Sequence, residues 1–324
     1  MWKTRVSPWS AGGSHVGRDI SGRLRWGGRV ATLVAGVVGV VTAAASTAAA
    51  SQVTIVDGRA APVVNVGDGR LPKAPVMDVG DYVALGDSYS SGVGTGVYDA
   101  ASGDCARSPL SYPSLWAAER RLARFEFAAC SGARTADVLA NQIAALQSTT
   151  DLVTITIGGN DVGFGPVLQT CTVAQSDRTC FGAVDAAEAF ERSVLPGRLA
   201  RTYAAIRRAA PRARVIVLGY PRLFDLAPSC ADPLVPNLAR RNKLNQGADK
   251  LNTVIQKAAS QQSGFSFIDV RGRFAGHGVC SAQPWINGPS APISIGPYHP
   301  NQMGYRDGYL ATLGAATSRG AAAG

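Results

Sequence analysis

Five short apolar runs, at residues 82–86, 125–129, 152–157, 214–219 and 265–270, are separated by long stretches of helical pattern. The runs are rich in β-branched and aromatic side chains and too short to be helices. Residues 112–122, 135–146, 186–209 and 238–260 instead carry helical patterns. A break is expected at Pro196-Gly197 and a last helix after Pro300. This alternation points to an α/β fold, a parallel sheet covered by helices on both faces. Residues 81–318 suffice for one sizeable core within the single-domain range, and no internal repeat is visible.

The first run ends in Gly86-Asp87-Ser88, followed by a loop rich in glycine and hydroxyls. Open α/β sheets hold their ligands at the carboxyl ends of central strands, so Ser88 stands where a nucleophile belongs. A glycine beside it lets backbone amides approach a reacting oxygen. The third run ends in Gly158-Gly159-Asn160-Asp161, which brings an amide side chain to another strand end. Such a group suits a fixed donor aimed at an oxyanion. Near the C-terminus, His299 precedes Pro300 at the entrance to the last helical segment, a position suited to a general base.

Taken together, GDSYS, GGND and HPNxxGY resemble the SGNH hydrolases, or GDSL esterases and lipases, and within them a secreted actinobacterial branch. The likeness runs from residue 81 to the C-terminal helix. It implies a three-layer, flavodoxin-like order of five parallel strands. It also implies Ser88 as nucleophile, His299 as base, and an oxyanion hole made by the amides of Ser88 and Gly132 with the side chain of Asn160. The function it implies is hydrolysis of carboxylic esters through an acyl-enzyme, by a monomer without cofactor or metal. The rival reading is a secreted binding protein that kept the fold and lost the chemistry; intact Ser88, Asn160 and His299 argue against it. One departure stands out. Many members of the family have aspartate three residues before the histidine, whereas this chain has Gly296. A backbone carbonyl, that of Gly296 or a near neighbour in the preceding loop, is then expected to orient His299. Asp269 and Asp307 are the remote carboxylates that would compete for that role.

Residues 1–50 read as a secretory signal peptide: a basic stretch, an apolar run at 30–41 and a small-residue cleavage site at Ala48-Ala49-Ala50. The whole chain has a formal charge of +10. That segment carries 6 of the 32 basic and 1 of the 22 acidic residues, so the remainder has 26 minus 21, or +5. Arg207-Arg208 and Arg240-Arg241 are read as solvated helix faces. A nucleic-acid partner would require aromatic interleaving or a known module, and neither is present. Residues 51–80 form an N-terminal arm and 319–324 a tail.

All six cysteines, Cys105, Cys130, Cys171, Cys180, Cys230 and Cys280, follow the leader. An even count behind a signal peptide argues for disulfides, and the spacing leaves 15 pairings open. The resemblance implies the sequential set, with Cys171–Cys180 closing an insertion after GGND. A metal reading is poor, because beyond the leader only His277 and His299 remain and no Cys-x-x-Cys occurs. His277 is expected to be a satisfied loop residue. Asp87 and Asp161 are expected to position loop amides, and Gly92, Gly94 and Gly96 to form a flexible loop shaping the cleft. Trp285 and Tyr298 are candidates to line a substrate pocket.

Overall fold

The structure, a computed structural model, describes residues 79–292 and 295–319. The expected signal peptide, all but the last two residues of the arm, and most of the tail lie outside the described residues.

Five strands, β1 (Asp81–Gly86), β2 (Arg124–Phe127), β3 (Leu152–Thr156), β4 (Arg214–Leu218) and β5 (Phe265–Ile268), form one parallel sheet in the order β2-β1-β3-β4-β5. The three inner strands are almost wholly buried and the two edge strands half-buried. That is why the inner runs are continuously apolar rather than alternating. The chain starts at β1, moves outward to β2, then crosses to the other side of β1 to lay down β3. β1 and β3 therefore flank the point where the winding reverses, the place where open α/β sheets bind ligands.

The register pairs Gly86 with Thr156 at the upper ends of these two strands. Gly86 has φ 122°, and a Cβ there would lie 2.4 Å from the Thr156 carbonyl oxygen. Only glycine lets the chain turn this close to its neighbour.

Helices α1 (Ser88–Ser91), α2 (Tyr112–Ala118), α3 (Thr135–Asp137), α4 (Phe164–Val173), α5 (Asp177–Ser193), α6 (Leu195–Ala209), α7 (Leu238–Ser260) and α8 (Ala311–Arg319) complete the domain. α4 to α7 pack on one another as one layer, while α2 packs on the π-helical segment Gly304–Leu310 that leads into α8, and Trp116 Nε1 of α2 donates to the Thr317 hydroxyl of α8. In α7, Leu244, Ala248, Leu251, Ile255 and Ala259 are buried, a helical stripe three to four residues apart.

Several elements differ from expectation. The stretch 135–146 is a composite of α3, a π-helical turn (Val138–Gln142) and a 3-10 turn (Ile143–Ala145). The long helix expected from residue 186 begins at Asp177, where the Ser176 hydroxyl accepts from Thr179 N. It breaks at Val194, because Pro196 occupies the first turn of α6, where a missing N–H costs nothing. The insertion expected after GGND contains α4, for which no helix was expected, and its Cys171 is bonded to Cys180 of α5. The other disulfides join Cys105 to Cys130 and Cys230 to Cys280. Arg240 and Arg241 are buried rather than solvated. Arg241 donates to the carbonyls of Asp225 and Ala227, and Arg240 to those of Cys171 and Ala174 and to Asp177. Arg241 thus ties down the loop after β4, and Arg240 binds the C-terminal end of α4, where helix carbonyls lack partners of their own.

Candidate active site

Ser88 opens α1 directly after β1. Asp87 caps that short helix by accepting from Tyr89 N, and the Ser88 hydroxyl faces the site. His299 arrives from the far end of the chain. Its segment is bracketed by Asn287, whose N–H donates to the His299 carbonyl and whose carbonyl accepts from Tyr298 N. The Tyr89 hydroxyl ties the same segment to α1 by donating to the Tyr298 carbonyl at 2.6 Å. Nε2 of His299 lies 2.7 Å from the Ser88 hydroxyl oxygen.

Nδ1 of His299 lies 3.0 Å from the Pro297 carbonyl oxygen. A carbonyl can only accept, so Nδ1 carries the proton and Nε2 is left as the acceptor for the serine hydroxyl. Gly296 is thus not the partner of the ring. Its carbonyl accepts from His299 N instead, because it lies one residue too far back in the turn. Among the described residues no carboxylate bonds the ring: Asp269 pairs with Arg271 and Asp307 with Arg306. With no anion beside it, desolvation lowers the His299 pKa to about 4, the Pro297 bond offsetting part of the effect. The imidazole is therefore neutral, and basic at Nε2, around pH 7.

The N–H groups of Ser88 and Gly132 donate to no protein acceptor among the described residues. Asn160 spends one amide proton on the Ala133 carbonyl at 3.0 Å and retains the other. Asp161 orients the segment after Gly132 by accepting from the Thr135 N–H and hydroxyl, and it pairs with Arg198. Ser88, Gly132, Asn160 and His299 all border one cavity of about 390 Å³. Its remaining wall is largely apolar, with Phe164 and Leu168 from α4, Ala248 and Leu251 from α7, and Tyr298.

Tyr298 thus lines the cavity, but Trp285 does not: it stacks on His277 at 3.7 Å between ring centres. The Nδ1 of His277 is 2.9 Å from the Gln283 carbonyl oxygen, which leaves this ring a structural partner in its loop. The glycine loop at 92–96 does not shape the cleft either. Gly94 packs against the His299 segment, where a Cβ would meet the Pro300 carbonyl oxygen at 2.3 Å. Sequence reasoning passed over Tyr220, just beyond β4, whose hydroxyl bonds Asp87 and lines the cavity. Its signal was available: an aromatic residue at a strand's upper end, one strand away from the reversal point. Burial pushes the Asp87 carboxyl up to about 6 against the pull of its hydrogen bonds.

Ser88, His299 and Asn160 thus meet around one largely apolar cavity above the β1/β3 reversal of an α/β sheet. The chain belongs to the GDSL-like lipase/acylhydrolase family, whose model matches residues 84–306. It is 49% identical over 251 residues to a lipase of Streptomyces rimosus, covering 78% of this chain and 92% of that one. The crystal structure of an extracellular lipase from Streptomyces rimosus superposes with a TM-score of 0.69 at 49% identity, over 73% of this chain and 99% of the other. A phospholipase A1 from Streptomyces albidoflavus NA297 gives 0.70 at 47% identity, with the same coverage. The protein is thus an ester hydrolase, and the reading as a non-catalytic binding protein gives way.

Proposed function

We propose that this hydrolase acts on carboxylic esters through an acyl-enzyme formed on Ser88, with His299 as the sole side-chain base. The observation that carries the reading is the 2.7 Å approach of His299 Nε2 to the Ser88 hydroxyl beside two unengaged backbone N–H groups. Nε2 takes the hydroxyl proton as the serine oxygen attacks the ester carbonyl carbon. The carbonyl oxygen becomes an oxyanion held by the N–H groups of Ser88 and Gly132 and by the free amide proton of Asn160. The imidazolium then returns its proton to the departing alcohol oxygen, and the acyl group stays on Ser88. Water repeats the sequence, giving up its proton to Nε2 and releasing the acid. The Pro297 carbonyl fixes the tautomer throughout, in the place where a protease triad has an aspartate.

The apolar wall formed by α4 and α7 suits an acyl chain. The 47% identical neighbour named as a phospholipase A1 brings phospholipids into the substrate range to be tested. We read the protein as monomeric and secreted, with residues 1–50 removed on export. Among the described residues no helix is long and apolar enough to cross a membrane. The test is hydrolysis of p-nitrophenyl esters of increasing chain length by the wild type and by Ser88→Ala. Turnover by the wild type that Ser88→Ala abolishes supports the reading; turnover retained by Ser88→Ala defeats it. N-terminal sequencing of exported protein should begin near Ser51.

A further inference from the structure

Asp87 is 1% exposed, yet among the described residues no cation faces it. Its carboxylate stands on hydrogen bonds alone: Oδ1 accepts from Tyr89 N at 3.0 Å and from the Thr156 hydroxyl at 2.7 Å, and Oδ2 accepts from the Tyr220 hydroxyl. The other titratable groups around it are the Tyr89 phenol on α1, Tyr112 on α2, Tyr305 and Tyr309 on the π-helical segment, and Asp161 after β3, none of them a counter-ion.

The Tyr220 oxygen has a second bond, accepting from Gly159 N at 3.2 Å. One phenol hydroxyl therefore bridges the residue before Ser88 and the residue before Asn160. Tyr220 is itself immobilised. Its backbone N–H donates to Asn252 Oδ1 and its carbonyl accepts from Asn252 Nδ2, both at 2.8 Å, and its ring meets Tyr89 edge-on at 5.1 Å. Tyr89 in turn holds the His299 segment through the Tyr298 carbonyl.

We propose that Tyr220 and Asp87 are a positioning pair that locks the Ser88 turn to the Asn160 turn, and that the productive site requires Asp87 to be ionised. The proposal rests on the roles given above to Ser88 and Asn160. The three groups bonded to the carboxylate all donate to it, so a proton on Asp87 costs one of those donor bonds unless a hydroxyl turns round to accept. On Oδ2 the new proton takes the place of the Tyr220 hydroxyl hydrogen, which must turn away, and the bridge between the two turns is disturbed. Burial holds Asp87 near 6, whereas His299 lies near 4, so Asp87 is the first of the two to be protonated as the pH falls.

The experiment measures kcat and KM for p-nitrophenyl butyrate from about pH 4 to 8 on the wild type, Tyr220→Phe, Asp87→Asn and Tyr203→Phe. Tyr203 is the control, a buried tyrosine whose hydroxyl has no partner among the described residues. Melting temperatures and labelling of Ser88 by a fluorophosphonate are read alongside. The wild-type acid limb is expected near 6. Tyr220→Phe should lower kcat by about 10- to 100-fold with KM within about 3-fold, since misplaced catalytic groups lose rate more than binding. It should also move the limb to higher pH, because the carboxylate loses a donor. Asp87→Asn should be slow across the range with no limb of its own, and Tyr203→Phe should match the wild type. A wild-type limb near 4, an unchanged kcat in Tyr220→Phe, or a loss that tracks its melting temperature while the limb stays fixed, overturns the pair. Turnover by Ser88→Ala, or fluorophosphonate labelling elsewhere, overturns the nucleophile assignment beneath it.

Discussion

Asn160 borders the cavity and gives one amide proton to the Ala133 carbonyl, which leaves the other for the oxyanion role proposed above. Asn160→Ala should therefore lower kcat by about 10² to 10³, the usual loss for one oxyanion donor, with KM little changed and circular dichroism retained. An unchanged kcat would remove it from the mechanism. The absence of a carboxylate on His299 leads to a second expectation. Alanine at Asp161, Asp225, Asp232, Asp269 or Asp307 should never approach the loss of about 10⁴ that follows alteration of a protease triad aspartate. Steady-state rates on variants shown to be folded decide this, and one such loss would put a carboxylate back in the mechanism. That Ser88, Asn160 and His299 meet around one cavity was legible in the sequence because each follows a strand or precedes a helix. Pro297 was not legible, since every residue carries a carbonyl and only the path of the turn decides which one points at the ring. Tyr220 was missed because its hydroxyl serves two loops that lie far apart in the chain.

Helix α5 carries a carboxyl in an unusual place. Glu191 is 3% exposed, one of its oxygens has no partner, and burial, followed by the nearby Glu188 charge, raises its pKa from 4.5 to about 7. A raised carboxyl favours folding while it stays protonated. This contribution is complete below about 4.5 and is lost as the pH climbs through about 7. Glu191→Gln should therefore melt higher than the wild type above pH 7, and the gap should close on acidification. Thermal melts at a series of pH values check it, and a gap that widens towards acid would refute it. The strands and α7 were readable because burial imposes an uninterrupted apolar run or a helical stripe. α4 was not, because Gly163 and Pro166 at its start imitate a loop, and the π-helical turns break the period on which helix reading depends.

Across the whole molecule the three disulfides are placed on segments the site uses. Cys130 immediately precedes Ser131-Gly132, Cys171 sits in α4, the helix whose Phe164 and Leu168 line the cavity, and Cys280 lies in the loop that leads to His299. Replacing Cys105 and Cys130 together by serine should cost about 2 to 4 kcal/mol in urea unfolding and slow turnover as Gly132 loses its tether. Peptide mapping without reduction should recover only the sequential pairs. The sheet order and this pairing were legible only through the family likeness, since spacing alone leaves 15 pairings open. A last consequence concerns inheritance. An aspartate partner can vanish by a single base change, but the partner of His299 is a main-chain oxygen that every codon supplies. Substitution at Pro297 exchanges a side chain and leaves the acceptor in place, provided the turn bracketed by Asn287 keeps its path. On the mechanism proposed above, the third member of the catalytic set is encoded by the length and course of a loop, and insertions and deletions threaten it more than point mutations do.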